Sequence, residues 1–231
     1  MNYVMADIHG EYDKFLEMLE KIEFSDSDNL FILGDMVDRG PKPMELLMDL
    51  AGRYNVYCLL GNHEYMMLKC LKALEVEITE DNYDTQISVD VMQGYLDWMQ
   101  NGGEITLKQY RKLCMDDREM VLDFLEELDL YEMLRVNGRD YLLVHAGLMN
   151  FSPGKAIDDY LPEELIFARP DFETPYFERI TTIVGHTPTI ELTGSPEILR
   201  KSNFMNIDCG ATFPEGRLAC SCLETEEVFY V

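Results

Sequence analysis

The sequence predicts an α/β fold in which short buried strands alternate with amphipathic helices. Five apolar runs of four to six residues, each the length of one buried strand, are distributed along the 231-residue chain. Helical patterns occupy the intervals between the first three runs, and this alternation is typical of βαβ units with right-handed crossovers. Hydrophobic residues make up 47 % of the chain, which is enough to form a core.

The five predicted strands share one property, which is that each ends at a polar residue suited to binding metals or protons. The runs are 3–6, 30–34, 56–61, 141–144 and 182–185. The polar residues that follow them are Asp7 and His9, Asp35 and Asp38, Asn62 and His63, His145, and His186. In open α/β sheets ligands bind beyond the carboxyl ends of strands, so these residues predict one site assembled from distant parts of the sequence.

Two amphipathic helices are predicted between the first three strands. The first presents one apolar face, made of Tyr12, Phe15, Leu16, Leu19 and Ile22. The second opens at Pro41 and Pro43, since proline is favourable in a first helical turn. Its inward face is expected to carry Met44, Leu47, Met48 and Ala51.

Residues 75–134 differ in character from the rest of the chain. They hold 16 acidic and 4 basic residues, a net charge of −12 within a total of −25. Apolar residues at helical spacing within 91–99 and 121–128 predict two helices, with a break at 101–103. We interpret the segment as an acidic helical insertion in a single domain that spans residues 1–231. From about Thr181 onward the sequence becomes β-rich.

Composition and charge exclude several classes of function. A nucleic-acid-binding surface needs Lys and Arg to neutralise phosphates, and this chain has 19 of them against 44 Asp and Glu. Neither a polybasic membrane anchor nor a membrane-spanning apolar stretch is present in the sequence, and the first residues do not resemble a signal peptide. Six cysteines without a repeated spacing are expected to be reduced thiols, so we expect a cytoplasmic protein.

The residues at the strand ends are suited to holding metal ions. All four histidines of the chain occupy such positions. Carboxylate, imidazole and amide oxygen ligands suit first-row divalent ions such as Mn, Fe or Zn. The candidate ligands are numerous enough for two metals that share a carboxylate and a hydroxide. They are Asp7, His9, Asp35, Asn62, His145 and His186.

Five segments, in order, resemble the motifs of the PPP-type metallophosphoesterases, in particular the small bacterial protein-phosphatase-like members. They are Ala6-Asp7-Ile8-His9-Gly10, Gly34-Asp35-Met36-Val37-Asp38-Arg39-Gly40, Gly61-Asn62-His63-Glu64, Val144-His145-Ala146-Gly147 and Val184-Gly185-His186-Thr187. The resemblance implies a central pair of mixed β-sheets flanked by helices, a four-layer αββα arrangement, with the acidic segment as a helical cap insertion.

The same resemblance implies roles for individual residues. Asp7 and His9 would hold the first metal, Asp35 would bridge, and Asn62, His145 and His186 would complete the second. His63 would be the general acid, oriented by Asp38. Arg39 would clamp the substrate phosphate with help from Asn62, and Arg169 is the candidate for a second clamp, with Arg179 as its nearby competitor.

The function implied is hydrolysis of a phosphate ester by a hydroxide that bridges two metals. We expect a serine/threonine phosphoprotein phosphatase, with a phosphorylated protein or a small phosphoester as substrate. Asp38 and the motif that ends in Glu64 favour this activity over the alternative, a symmetrical bis(5'-nucleosyl)-tetraphosphatase. A non-catalytic phosphatase-like regulator is the remaining alternative, and it would be expected to lack a ligand or the acid.

Overall fold

The computed structural model describes residues 1–75 and 88–231, and within these residues it contains two five-stranded β-sheets. The first sheet has the order β10-β9-β1-β2-β3 and the second has the order β4-β5-β6-β8-β7. The first sheet is formed by β1 (Asn2–Met5), β2 (Asn29–Ile32), β3 (Val56–Cys58), β9 (Ala219–Cys222) and β10 (Val228–Tyr230). The second is formed by β4 (Tyr131–Val136), β5 (Arg139–Val144), β6 (Ile180–Val184), β7 (Leu199–Lys201) and β8 (Phe204–Asn206).

Both sheets are mixed, and their parallel strands run toward one edge of the molecule. Strands β1, β2 and β3 are parallel neighbours, joined by helices α1 (Tyr12–Lys21) and α2 (Pro43–Ala51). Strands β5, β6 and β8 are parallel neighbours in the second sheet. The carboxyl ends of six strands can therefore contribute side chains to a common site.

The two sheets pack face to face, and helices cover their outer faces. Val4 and Phe31 from the first sheet meet Leu143, Ile183 and Met205 from the second in a shared buried core. Helices α1 and α2 pack on the outside of the first sheet. Helix α7 (Pro162–Ile166) packs against the outside of the second. The αββα arrangement expected from the motifs is confirmed.

The predicted helices form, with differences in which residues face inward. In α1, Leu16 is exposed, and Met18 takes its place beside Phe15 in the core. In α2, Ala51 is exposed, whereas Leu46 and Leu50 are buried. The buried stripe of each helix is thus shifted around the helix axis but overlaps the predicted face, since Phe15 and Leu19 in α1 and Met44 and Leu47 in α2 stay buried.

The acidic insertion is helical over its described part, which begins at residue 88, and residues 76–87 lie outside the described residues. It contains α4 (Val89–Trp98), a π-helical turn (Met99–Gly103), α5 (Glu104–Tyr110) and α6 (Met115–Glu126). It follows α3 (Asn62–Glu75). The predicted limit at residue 134 falls inside β4, because the acidity used to delimit the segment continues into that strand.

The insertion shares the core of the first sheet instead of forming a separate layer at its edge. Trp98, Leu107 and Leu125 are buried in the same cluster as residues of α1 and α2. The helical break predicted at Asn101-Gly102-Gly103 is present as a kink, where Gly102 leaves helical geometry with a φ of 101°, a value that favours glycine.

Within residues 1–75 and 88–231, no helix combines the length and the apolar character needed to cross a membrane. The six cysteines all lie among these residues and are free thiols.

If the insertion is part of the main core, its buried leucines should contribute to global stability. Leu125→Ala in α6 should lower the free energy of unfolding by about 2–5 kcal/mol, because it leaves a cavity. The matched control Leu96→Ala in α4, where the side chain is 46 % exposed, should change it by less than about 1 kcal/mol. Urea unfolding measures both, and equal midpoints for the two variants would show that the insertion is not integral to the fold.

Candidate active site

The polar residues that follow five of the strands meet at one edge of the two sheets. Asp7 and His9 follow β1, and Asp35 follows β2. His63 lies in the first turn of α3, after β3. The remaining two positions, His145 and His186, follow β5 and β6. All except His186 are almost fully buried, so the convergence predicted from strand ends is present.

The backbone at this edge adopts a conformation that non-glycine residues rarely take. Six residues at the predicted site have φ between 49° and 69°. They are Asp7, His9, Asp35, Asp38, Arg39 and His186. Such strain persists where neighbouring structure imposes it, and it is concentrated at functional sites. Here the loops restrain one another, since the His9 amide donates to the Asp35 carbonyl at 2.8 Å.

Glu64 organises the loop that carries Asp35, a role that the sequence did not predict. Its fully buried carboxylate accepts hydrogen bonds from the backbone N–H groups of Asp35 at 2.7 Å and Met36 at 2.7 Å. It also accepts from Val37 at 3.1 Å and from Gly61 at 3.1 Å. The only signal for this role was its place at the end of the motif that contains His63.

Asp35 lies between two groups of candidate metal ligands. His9 and His63 form the first group with it, and His145 and His186 form the second. Its Oδ2 lies 3.6 Å from His9 Nε2, whereas its Oδ1 lies 3.4 Å from His145 Nε2. Each carboxylate oxygen therefore faces a different group, which is the arrangement that a bridging carboxylate requires.

His9 and His145 are protonated at Nδ1, so the Nε2 atom of each ring carries a lone pair on the side that faces Asp35. His9 Nδ1 donates to the Val37 carbonyl at 2.8 Å, and His145 Nδ1 donates to the Leu33 carbonyl at 2.6 Å. In the neutral ring Nε2 is then an acceptor. Burial lowers the pKa of both imidazoles, and the neighbouring His63 lowers that of His9 further. Both rings are thus neutral and ready to bind a cation.

Asn62 completes the second group. Its Oδ1 lies 3.0 Å from His145 Nε2 and 2.8 Å from His186 Nδ1. Burial, with His145 close by, lowers the pKa of His186 to about 3. Neutral nitrogen and oxygen acceptors that converge with a carboxylate fit a first-row divalent ion. The donor set therefore fits the metal pair that the sequence predicts.

Asp7 and Asp208 form a pair of buried carboxyl groups beside these ligands. The Asp7 carboxylate accepts from the His186 backbone N–H at 3.0 Å and lies outside both ligand groups, so its predicted role as a metal ligand stays a prediction. Burial and the nearby Asp208 hold the pKa of Asp7 well above its usual range. Asp208 was not predicted, and burial raises its pKa to about 7. The strand-end pattern could have found it, because it follows β8.

His63 and Asp38 form a buried dyad. His63 Nδ1 donates to Asp38 Oδ2 at 2.7 Å, and both side chains are almost completely inaccessible to solvent. Burial alone would lower the pKa of His63, but the charges of Asp35 and Asp38 outweigh it and raise the pKa above the ordinary value. The dyad thus favours a histidine that can carry a transferable proton.

Two residues of the helical insertion complete the hydrogen bonding of Asp38, and neither was predicted. Trp98 Nε1 donates to Asp38 Oδ2 at 2.9 Å, and Thr106 Oγ1 donates to Asp38 Oδ1 at 2.6 Å. The Thr106 hydroxyl also accepts from the Asp38 backbone N–H at 3.0 Å. Buried carboxylates need such partners, and here the insertion supplies them.

Two arginines and His186 line a cavity of about 350 Å³ at this edge. Arg39 Nη1 donates to His9 Nε2 at 2.8 Å, and its Nη2 lies 3.0 Å from His63 Nε2. A metal ion on His9 would require the same lone pair. Arg169 Nη1 donates to Thr187 Oγ1 at 3.1 Å. The competitor Arg179 is exposed and precedes β6, so it lies at the opposite end of that strand from His186.

The model of the family described as calcineurin-like phosphoesterase matches residues 3–208 of this chain. The chain belongs to this family. Its members are metallophosphoesterases that use divalent metal ions, in agreement with the His and Asp groups around Asp35. The family to which the chain belongs is thus one of metal-dependent phosphoesterases.

The individual curated proteins that match this chain have low sequence identity to it. A symmetrical bis(5'-nucleosyl)-tetraphosphatase of Erwinia tasmaniensis is 29 % identical over 115 residues, which are 49 % of this chain and 42 % of that protein. The corresponding protein of Salmonella paratyphi B is 28 % identical over the same length, 49 % of this chain and 41 % of its own. The chain thus spans less than half the length of these curated relatives.

The fold is also found in solved structures. The crystal structure of a candidate diadenosine tetraphosphatase superimposes with a TM-score of 0.67 at 19 % identity and covers 100 % of this chain and 92 % of its own. At this identity the similarity supports the fold and nothing finer.

If Asp35 bridges two metal ions, removal of its carboxylate should weaken metal binding at both ligand groups. Asp35→Asn should remove most bound manganese in a metal analysis of purified protein, because both groups lose their shared carboxylate. Asp13→Asn, which neutralises an exposed carboxylate that pairs with Lys42 and contacts none of the candidate ligands, should bind manganese as the parent does. Retention of two ions by Asp35→Asn would exclude a bridging role.

Proposed function

We propose that this phosphoesterase hydrolyses phosphomonoesters and that its substrates are phosphoserine- and phosphothreonine-containing proteins. The observation that carries the proposal is the buried dyad of His63 and Asp38. It places a protonated or protonatable imidazole nitrogen next to Arg39, where a substrate phosphate is expected.

The leaving group explains why this dyad favours a phosphomonoester. A serine or threonine alkoxide is a poor leaving group and departs readily only when it receives a proton. A nucleoside diphosphate, which leaves when a dinucleoside tetraphosphate is cleaved symmetrically, is already a stable anion. A buried acid held by Asp38, which is itself held by Trp98 and Thr106, is therefore suited to the cleavage of a phosphoserine or phosphothreonine ester.

The residues of the chain divide the remaining work. The guanidinium groups of Arg39 and Arg169 would bind phosphoryl oxygens in the cavity that both line. Divalent ions held by Asp35 with His9, Asn62, His145 and His186 would activate water and neutralise charge on the phosphoryl group, and His63 is then left free to act as the acid. His63 would transfer a proton from Nε2 to the departing oxygen, while Asp38 fixes the Nδ1 proton and stabilises the charged ring.

A second candidate function is symmetrical hydrolysis of bis(5'-nucleosyl)-tetraphosphates. The curated relatives that match this chain over 115 residues carry that name, and this is the observation that favours it. The half-buried ring of Phe213 in the cavity with Arg39 and Arg169 could stack on a nucleobase. Under this function the reaction would depend far less on His63.

One variant and a set of substrates distinguish these functions. With manganese present, His63→Ala should lower kcat for a phosphoserine peptide by about 10²–10⁴-fold, since general acid catalysis contributes on that order. The loss should be much smaller with p-nitrophenyl phosphate, because nitrophenolate needs no proton to leave. The control Lys69→Ala, on the exposed face of the same helix, should behave as the parent does.

The same assays show which proposal fails. Faster turnover of diadenosine tetraphosphate than of the peptide, with little effect of His63→Ala, would support the second function and overturn the first. A metal-loaded protein that hydrolyses none of the three substrates would instead support the non-catalytic regulator.

A further inference from the structure

A second cavity, of about 310 Å³, lies at the edge of the sheets opposite the candidate active site. It is lined by residues at the beginnings of β5, β6 and β8, whereas the metal-ligand candidates follow the ends of β5 and β6. Arg139 begins β5 and His145 follows its end, so the two are separated by about 20 Å at roughly 3.3 Å per residue. The cavity is therefore separate from the catalytic edge.

Polar side chains occupy inward-facing positions at this end of the space between the sheets. Arg200 pairs with Met205 in the ladder of β7 and β8, and Ser221 pairs with Val4 in the ladder of β1 and β9. Directly paired residues share a face of the sheet, and both Met205 and Val4 belong to the core between the sheets. Arg200 and Ser221 thus face the space between the sheets, next to the apolar side chains of Met205 and Val4.

We call the rim formed by Arg139, Arg200, Lys201, Ser221 and Glu226 the basic mouth. Three of these residues are cations and one is a carboxylate, and Glu173 pairs with Lys201 beside the rim, so the group carries a net charge of 3 − 2 = +1. The whole chain carries −25. A local positive field in so acidic a protein can attract a small anion that the rest of the surface repels.

Arg200 is the cation of the basic mouth that is most available to such an anion. Arg139 pairs with Glu226, and Lys201 pairs with Glu173. Arg200 instead donates to two neutral oxygens, Ser221 Oγ at 3.4 Å and the Glu226 carbonyl at 3.3 Å. If Arg200 had only a structural role, we would expect it to form an ion pair with one of the many carboxylates of this chain. Its guanidinium can donate two parallel hydrogen bonds to a phosphate group.

The floor of the cavity is apolar. Met205 and Leu223 line it and are almost fully buried, and Tyr141 adds a buried aromatic ring, all three from the core between the sheets. A cavity near 300 Å³ with an apolar floor and convergent polar groups is at the lower end of the size range of small-molecule sites. The cavity suits a compact ligand in which an anionic group, for the cationic rim, is joined to a planar and weakly polar ring system, for the apolar floor.

We propose that the basic mouth is a second, non-catalytic binding site for a small phosphorylated metabolite of the nucleoside monophosphate class. The phosphate would lie on Arg200 with Arg139 and Ser221 beside it, and the base would lie over Met205, Leu223 and Tyr141. The site does not depend on the function proposed for the catalytic edge, because it shares no residue with it.

Calorimetric titration with adenosine monophosphate tests this site. The background variant Arg39→Gln/Arg169→Gln, kept free of metal, removes anion binding at the catalytic edge. In this background Arg200→Gln should weaken binding of the nucleotide at least about tenfold, a change of about 1.4 kcal/mol. Arg135→Gln is the matched control, because it removes the same charge from β4, the strand at the opposite edge of the sheet and outside the cavity, and it should leave binding unchanged.

Two ligand controls define the chemical class. Adenosine and inorganic phosphate should each bind more weakly than adenosine monophosphate, because each lacks one half of the interactions. No binding of the nucleotide to the background variant, or equal affinity in Arg200→Gln and Arg135→Gln, would overturn the site. Phosphate that binds as tightly as the nucleotide would overturn the assignment to nucleotides.

Discussion

The hydrogen bonding of the buried Asp38 carboxylate is the interaction on which the candidate active site depends. A carboxylate removed from water is costly unless its oxygens find donors. Asp38 has three side-chain donors, His63, Trp98 and Thr106, and two of them come from the helical insertion. The insertion therefore satisfies the group that orients the general acid, and it cannot be removed without leaving that group short of partners.

The same contact explains why the insertion shares the core and does not form a detached cap. Trp98 must bring its indole N–H to Asp38, and the rest of its ring then lies among the apolar side chains of the first sheet and its helices. The turn that follows also holds the loop of Asp38, since the Arg39 backbone N–H donates to the Gly102 carbonyl at 3.2 Å. A Cβ at Gly102 would press against the Arg39 side chain, so glycine is needed there as well for close approach. Packing of the insertion and placement of the phosphate-binding arginine are thus coupled.

Most of the site could be predicted from sequence because strand ends are local features. Each ligand candidate follows an apolar run directly, and the parallel arrangement of the strands brings the ends together. The partners of Asp38 could not be predicted, because Trp98 and Thr106 lie 60 and 68 residues away in sequence and in a segment recognised mainly by its acidity. Arg169 and Arg179 could not be separated either, since only the length of β6 shows that they lie at opposite ends. Asp208 was missed although it follows the strand-end rule, because its strand has only three residues.

The account is tested most directly by the Thr106 hydroxyl, which touches Asp38 but neither the metal ligands nor the cavity. Thr106→Val keeps the shape of the side chain and removes the hydrogen bonds, whereas Thr106→Ser keeps the hydroxyl. With manganese bound, the ratio of kcat for a phosphoserine peptide to kcat for p-nitrophenyl phosphate reports how well His63 donates its proton. We predict that Thr106→Val lowers this ratio at least about tenfold, as expected for partial loss of general acid catalysis, and that Thr106→Ser stays near the parent value. An unchanged ratio in Thr106→Val, with the metal content intact, would contradict the claim that the insertion positions the acid.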